Sequence, residues 1–487
     1  MDNKKLDVLR SNVNDLDDKI LDLLRERAEI VTEIGKQKKS TSNIVDYDRE
    51  QKVLDRILQH TKAKYSKDSI VRIWREIFQA STKLQEIDRP TIDTKRSINL
   101  INIYKGGKSS LKGKDNIIKL SSNENSYGPS PKVLEKTNIK EALSNAHRYP
   151  NIDGAQLRDK LASVHNINAN QIVLGCGSDE TLLFAALAFC QDGDEIIHAE
   201  HGFEMYSIIT KIVGATSKLI KEDKNYKVTV NSILEQVSPS TKIIYLANPN
   251  NPTGTYLARS EINEILNKLP KNIIMVLDGA YAEYVTKEDY DNGFSLVDQF
   301  ENLILTRTFS KAYGLAGLRL GWCYTSKKVA TILNKVKGPF NTQSLSQEMA
   351  IIALEDKEYL NQIVKNNQKV KDWFENELKK INIKTNPSEG NFTFVEMTEG
   401  EVKNISAHLA NMGIIVRELD SYGLPNCLRI TIGTKEEMEE VRKNKSNEFW
   451  NQIKDMGGQV TRYEGNCEVE VSSCLLYTSP SPRDQRG

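Results

Sequence analysis

The stretch NLILTRTFSKAYGLAGLRLGW, residues 302–322, decides how most of this chain is read. It opens as an apolar run of strand length and turns abruptly into small residues that carry Ser310, Lys311 and Arg319. A lysine at the end of a strand, beside small residues, is either a solvated surface group or a buried amine with a lowered pKa. Working outward, similar β-branched runs recur: QIVLG (171–175), DEIIHA (194–199), TKIIYLA (241–247) and NIIMVLD (272–278). They alternate with amphipathic stretches, a pattern that predicts a mostly parallel sheet with crossover helices. From about Ile352 long helical patterns return, with strand candidates at NFTFVEM (391–397) and CLRITIG (427–433). The expectation is a large α/β domain over about 140–340 and a smaller α+β domain over about 341–455 plus an N-terminal segment, together 115–455.

Residues 1–88 have a different texture, dense in charge and nearly free of Gly and Pro. Leu6, Leu9, Val13, Leu16, Ile20, Leu23, Ile30 and Ile34 form one stripe at helical spacing, which predicts a long helix with a buried seam. Arg27 and Lys38 continue that seam and Arg10 flanks it. Cations on an apolar face snorkel, pair with another helix, or bind an anion. A second helix is expected from Asp46, a good N-cap, with Glu50, Val53 and Ile57 on its stripe and Arg49 alongside. A third presents Ile70, Ile73, Trp74, Ile77, Ser81 and Leu84 inward, with Ser81 and Gln85 as an i, i+4 pair at the edge. Arg89-Pro90 and the polar stretch to Lys114 read as a linker and entry arm, 89–114.

The 487 residues suffice for two to four domains of roughly 100–200 residues. With 67 Lys+Arg against 66 Asp+Glu the formal charge is +1, which leaves no global basic field for nucleic acid or a membrane surface. No run approaches the roughly 18 apolar residues of a span, and MDNKKLDVLR has no signal core, so a cytoplasmic protein is expected. Cys176, Cys190, Cys323, Cys427, Cys467 and Cys474 show no CxxC and no metal-ligand spacing. Free thiols in a reducing compartment, and no metal, follow as expectations. Residues 456–487 end in VSSCLLYTSPSPRDQRG, which resembles a translated cloning adapter; a disordered tail is the alternative.

Three helices bearing Arg10, Arg27, Lys38, Asp46, Arg49, Glu50, Ser81 and Gln85, with the element LLRERAEIVTEIGKQK (23–38), resemble the all-helical chorismate mutase family over about the first 88 residues. The resemblance implies an all-α three-helix domain in an intertwined dimer, with one arginine, by position Arg10, supplied by the partner chain. It implies rearrangement of chorismate to prephenate, which needs a held conformer and a stabilised ether oxygen rather than a nucleophile. Arg10, Arg27 and Arg49 would clamp carboxylates, with Ser81 also binding substrate. Lys38 and Gln85 would donate to the ether oxygen, Glu50 would accept from the substrate hydroxyl, and Asp46 would fix its neighbours.

In the α/β zone, Gly175-Cys176-Gly177-Ser178 lies between a strand and the helix SDETLLFAALAF (178–189). It is either a tight turn or a set of N–H groups presented to an anion. Phe203 is either core or a stacking ring. Asn251-Pro252-Thr253-Gly254 follows a strand at the edge where open α/β sheets bind ligands, though it can be only a turn. Asp278 ends an apolar strand, three residues before Tyr281, where an isolated carboxylate is expensive unless it meets a cation. Taken in order, phosphate turn, ring, Asn, Asp/Tyr, Lys and Arg resemble the pyridoxal-phosphate aminotransferases of the aspartate-aminotransferase fold. The likeness is nearest to histidinol-phosphate aminotransferase and its aromatic-acting relatives. It spans about residues 97–455 and includes SSNENSYGPSP (121–131), HRYPNIDGAQLRDKLA (147–162), KGPFN (337–341), EGNFTF (389–394) and CLRITIGT (427–434).

That resemblance implies pyridoxal 5'-phosphate as cofactor and a role for each matching residue. Lys311 would bond the cofactor and then carry the transferred proton. Asp278 would pair with the ring nitrogen, Tyr281 and Asn251 with the ring oxygen, and Phe203 would stack. Ser178, Asp179, Ser310 and Arg319 would surround the phosphate, joined by Tyr149 from the other subunit. Arg429 would bind the substrate's anion, with Tyr127 and Asn391 lining the pocket. The chain departs from the family at Ser126 for Pro, Gly279 for Glu, Cys176 for Asn and Phe203 for Tyr. A mutase joined to an aminotransferase places two steps of phenylalanine and tyrosine synthesis on one chain. The expected acceptor is therefore prephenate, phenylpyruvate or 4-hydroxyphenylpyruvate, with glutamate as donor. The alternative is a histidinol-phosphate aminotransferase whose helical domain is a dimerisation or regulatory module.

Overall fold

The computed structural model describes residues 3–37, 47–60, 64–85, 94–104 and 106–443. Lys38, Asp46 and residues 444–487 lie outside the described residues. Residues 1–441 form one unit, beyond which only Arg442 and Lys443 are described.

Three helices open the chain: α1 (Asn3–Gln37), α2 (Tyr47–His60) and α3 (Lys67–Gln85). Among the described residues, their buried side chains are Val31, Leu54, Phe78 and Ser81. Gly35 sets the approach of α1 to α3, since a Cβ there would sit 3.0 Å from the Gln85 Cα. The expected buried seam is corrected along α1: Leu9, Val13, Leu16, Ile20, Leu23 and Ile30 are 54–64% exposed and Leu6 and Ile34 are exposed as well, so the described residues of the same chain leave the stripe largely uncovered. On α3, Ile73 and Leu84 are exposed as well, while Phe78 takes the core position. The other side of α3 meets the α/β domain: Arg75 Nη2 donates to Thr216 Oγ1 at 2.9 Å, and Arg72 packs at Gly193.

The large domain is a seven-stranded sheet. Its strands are β2 (Ile172–Gly175), β3 (Glu195–Ala199), β4 (Thr216–Ile220), β5 (Thr241–Ala247), β6 (Ile274–Asp278), β7 (Leu303–Thr308) and β8 (Gly321–Thr325). The order is β2-β8-β7-β6-β5-β3-β4, parallel except for β8, which is antiparallel to both neighbours. Strands β6 and β7 are buried at every position, as expected of strands covered on both faces. Leu174, Leu246, Leu277 and Leu305 belong to the core on one face, Val173, Tyr245, Val276 and Ile304 to the core on the other.

The small domain is built on a four-stranded antiparallel sheet, β12-β13-β10-β9. Its members are β9 (Lys384–Asn386), β10 (Phe392–Glu396), β12 (Arg417–Leu419) and β13 (Leu424–Thr431). Strand β1 (Ile118–Lys119) pairs in parallel with β11 (Ile414–Ile415), which ties the N-terminal segment to this domain. All seven strands expected from sequence are present; β4, the antiparallel β8 and the short β1, β9, β11 and β12 are additional. No described helix is long and apolar enough to cross a membrane.

Candidate active sites

The C-terminal ends of β5, β6 and β7 converge on one cavity. Its lining includes Ser178, Asp179, Phe203, Asn251, Asp278, Tyr281, Ser310, Lys311, Arg319 and Arg429, ten of the residues singled out in the sequence. Parallel strands deliver their following loops to one edge, so residues far apart in the chain become neighbours there.

Asp278 is the last residue of β6 and is 4% exposed. Its Oδ2 accepts from Tyr206 Oη at 2.8 Å, and its Oδ1 accepts from Thr306 Oγ1 at 2.9 Å and from the Ala280 N–H at 3.2 Å. Burial raises its pKa, while the Tyr206 and Thr306 hydrogen bonds oppose the rise. Lys311 follows β7, and its Nζ donates to Ser122 O at 2.9 Å and lies 5.8 Å from the Tyr281 ring centre. Burial, helped by the Arg429 charge, pushes its pKa down to about 8. Tyr281 Oη accepts from Asn123 Nδ2 at 2.9 Å. Phe203 precedes the helix Glu204–Ile212 and stands edge-on to Tyr206, which stacks on Tyr245 at 5.0 Å.

At the other end, the helix Ser178–Phe189 starts after Gly177, whose φ of +79° is open to glycine. A Cβ at Gly177 would lie 2.4 Å from Arg319 Nη2. Arg319 donates to Ser310 Oγ at 3.3 Å and to Asp179 Oδ2 at 3.2 Å. Backbone N–H groups at a helix start, two hydroxyls and a guanidinium make an anion cradle. A buried carboxylate, an amine of lowered pKa and this cradle around one cavity fit the polar points of pyridoxal 5'-phosphate: ring nitrogen, aldehyde and phosphate.

Arg429, on β13, is 5% exposed. It donates to Asn251 Oδ1 and, at 2.8 Å, to Ser121 O, and its Nε is buried with no partner in the protein. Two residues expected to line the pocket do not. Asn391 is buried outside the lining, donating to Asn123 O at 3.1 Å and Glu124 O at 3.2 Å, and so holds the backbone beside Ser122. Tyr127 is 37% exposed outside the cavity, its carbonyl accepting from Tyr359 Oη at 3.1 Å. Tyr149 is 81% exposed and stacks on Phe340 at 4.6 Å, away from the cavity of its own chain. Gly279, a departure from the family pattern, gains a reason. A Cβ there would fall 1.8 Å from Nη1 of the buried Arg307, whose guanidinium fills that space.

Sequence reasoning missed Tyr104, Asn123, Tyr206, Thr306, Arg417 and Tyr422. The first two lie in the N-terminal segment, and Arg417 and Tyr422 lie on or after the short β12. None of them carried a sequence signal: Arg417, for example, is the Cα partner of Arg429 across β12 and β13, which no spacing in the chain reveals.

In the helical domain, Arg27, Ser81 and Gln85 come together. The Arg27 guanidinium donates to Ser81 Oγ, and Gln85 Nε2 donates to Ser81 O at 3.2 Å. Gln85 Oε1 is buried without a partner, and burial lowers the Arg27 pKa. Arg49 and Glu50 open α2, Arg49 exposed and Glu50 half-buried. Arg10 pairs with Asp7 at 3.5 Å on the exposed stretch of α1. Seventeen residues separate it from Arg27, about 25 Å of helix, so it does not join this cluster within one chain.

Comparison with known proteins identifies a family for each of the two parts of the chain. The family Aminotransferase class I and II matches residues 115–444, and Chorismate mutase type II matches residues 9–86. The histidinol-phosphate aminotransferase of Ruegeria pomeroyi is 41% identical over 334 residues, covering 68% of this chain and 91% of that protein. The one from Roseobacter denitrificans is 40% identical over 342 residues, covering 70% and 94%. The histidinol-phosphate aminotransferase of Sinorhizobium meliloti in complex with pyridoxal-5'-phosphate shares the fold with a TM-score of 0.65 at 24% identity, over 71% of this chain and 93% of that one. The aromatic aminotransferase of Pyrococcus horikoshii OT3 does so with a TM-score of 0.61 at 19% identity, over 72% and 97%. The chain therefore belongs to the class I and II aminotransferases, pyridoxal-phosphate enzymes, and carries a chorismate mutase type II domain ahead of the aminotransferase domain.

Proposed function

We propose that the chain rearranges chorismate to prephenate in its helical domain and transaminates an aromatic oxo acid with glutamate in its second domain. The observation that carries this reading is the pair Arg417 and Arg429, opposite each other on β12 and β13 at one cavity. Two guanidiniums suit a substrate with two anionic groups. Prephenate, the product of chorismate mutases, is a dicarboxylate, and so is glutamate.

Pyridoxal phosphate, when bound, supplies the electron sink for the pair left by the substrate's Cα–H bond. Asp278 would hold its ring nitrogen, Asn251 and Tyr281 its ring oxygen, and Phe203 one ring face. Ser178, Ser310 and Arg319, the last tied to Asp179, would hold its phosphate, with Tyr149 of a second copy. Lys311 Nζ, whose pKa burial lowers in the absence of cofactor, would take the Cα proton and return it. Arg429 takes the substrate's α-carboxylate, and its unpartnered Nε leaves a donor for it.

In the helical domain Arg27 and Gln85 supply donors to one cluster, and Lys38 and Asp46 complete the set proposed from sequence. The uncovered stripe on α1 fits a second copy of the chain, which would also bring Arg10 to the partner's cluster; a homodimer follows from both domains. A cytoplasmic place accords with a biosynthetic enzyme that lacks a described membrane-spanning helix.

A second reading rests on the relatives: those quoted above carry the name histidinol-phosphate aminotransferase. A phosphate would satisfy the two arginines as well as a second carboxylate does. The discriminating experiment loads the enzyme with the amino group of glutamate and offers prephenate, 4-hydroxyphenylpyruvate and imidazole-acetol phosphate at equal concentration. Preference for the aromatic acceptors is expected. Preference for the imidazole compound would assign the second domain to histidine synthesis.

A further inference from the structure

Arg417 and Arg429 are direct cross-strand partners, and like charges so placed repel. The fold compensates them differently. Arg429 is met by neutral acceptors, Asn251 Oδ1 and Ser121 O. Arg417 is met by a charge: its Nη2 lies 3.3 Å from Glu204 Oε2, with Ser421 Oγ at 3.4 Å. The two charged side chains are only 12% and 18% exposed, so water screens the pair weakly. Glu204 stands in the first turn of the helix Glu204–Ile212, where the helix end favours a carboxylate, and directly follows Phe203 of the cavity wall. Tyr104 lies close enough for both charges to act on its phenol.

We propose that Glu204 is a specificity-determining residue, an internal carboxylate that occupies the face of Arg417 turned to the far end of the substrate. This rests on the proposed function, in which Arg429 takes the substrate's α-carboxylate and leaves Arg417 for a second anionic group at its far end. With a substrate whose far end is neutral, the Glu204–Arg417 pair stays closed and no uncompensated charge meets the aromatic ring. With a substrate whose far end is anionic, the anion must share Arg417 with Glu204, and the repulsion between them moderates its binding. One cavity can then serve a dicarboxylate donor and a ring-bearing partner in alternate half-reactions, because neither is favoured by the full field of two arginines. Glu204 acts through Arg417 and touches no reacting atom.

The experiment uses unreactive probes, so it does not depend on knowing the acceptor. Dissociation constants of glutarate, a dicarboxylate, and of 3-phenylpropionate, a monocarboxylate with a neutral ring, are read from the absorbance of the holoenzyme. Glu204→Gln is expected to shift the ratio roughly tenfold in favour of glutarate and to steepen the salt dependence of glutarate binding. Glu204→Asp keeps the charge and is expected to stay within about twofold of the parent ratio. Glu204→Ala should repeat the Glu204→Gln shift, which keeps the proposal open to refutation should one variant not fold. A ratio unchanged in Glu204→Gln and Glu204→Ala, or an equal loss of affinity for both probes, overturns it. If Arg417→Gln leaves glutarate affinity unchanged, the reading of Arg417 itself fails, and that failure is visible whatever the Glu204 variants do.

Discussion

Replacing Lys311 by Met should stabilise the cofactor-free enzyme near neutral pH. Without cofactor, the Lys311 ammonium sits in a cavity that solvates it poorly, and its pKa falls from 10.5 to about 8. That difference corresponds to about 3 kcal/mol of folding free energy. Below pH 8 the lysine is protonated folded and unfolded, so the whole penalty is present. Between pH 8 and 10.5 the unfolded chain holds a proton that the folded protein has released, so parent stability rises with pH. Met has a similar volume and no charge, but it leaves Ser122 O without its donor, a loss of about 1 kcal/mol. The variant should thus be more stable by about 2 kcal/mol at pH 7, and less stable by about 1 kcal/mol at pH 10.5. Urea unfolding of both cofactor-stripped proteins across this range, followed by circular dichroism, measures the crossing. A variant less stable at pH 7, by an amount that does not change with pH, would refute the claim that Lys311 is a desolvated amine.

Three further outcomes follow from the same geometry. Asp278→Asn keeps the shape but removes the buried charge held by Tyr206 and Thr306, so the half-reaction with glutamate should slow by roughly 100-fold or more with the cofactor still bound; stopped-flow absorbance reads it, and a loss below tenfold would discard the assigned role. Gly177→Ala forces a Cβ to 2.4 Å from Arg319 Nη2 at a φ of +79°, and should weaken cofactor affinity at least about tenfold by equilibrium titration while chorismate turnover persists. Gln85→Ala should lower the rate of prephenate formation roughly 100-fold, and transamination should be unchanged; a normal mutase rate would remove Gln85 from the site.

Some of this protein is legible without coordinates because the relevant physics is local. Strands β5, β6 and β7 are written as apolar runs, each ended by the polar residues it delivers to the cavity: Asn251, Asp278 and Lys311. The α1 stripe announces a helix, and Gly175-Cys176-Gly177-Ser178 a turn between a strand and a helix. Other features depend on what crosses between elements, and sequence spacing is silent on that. Asn391 is drawn by neighbouring letters toward the pocket, yet its amide is spent on the carbonyls of Asn123 and Glu124. Gly279 makes sense only once Arg307 fills its space. The seam from Leu9 to Leu23 is apolar in the sequence but uncovered in the single chain, since periodicity tells which face is apolar and not what lies against it. The sequence by itself determined the change from a helical to an α/β texture, seven of the strands and the polar residues that follow β5, β6 and β7, all set by local periodicity and breaker residues. Only the tertiary structure decided that Arg417 faces Arg429, that Glu204 compensates it, and that Tyr206 and Thr306 hold Asp278, because charge and hydrogen-bond partnership are settled by distance in space.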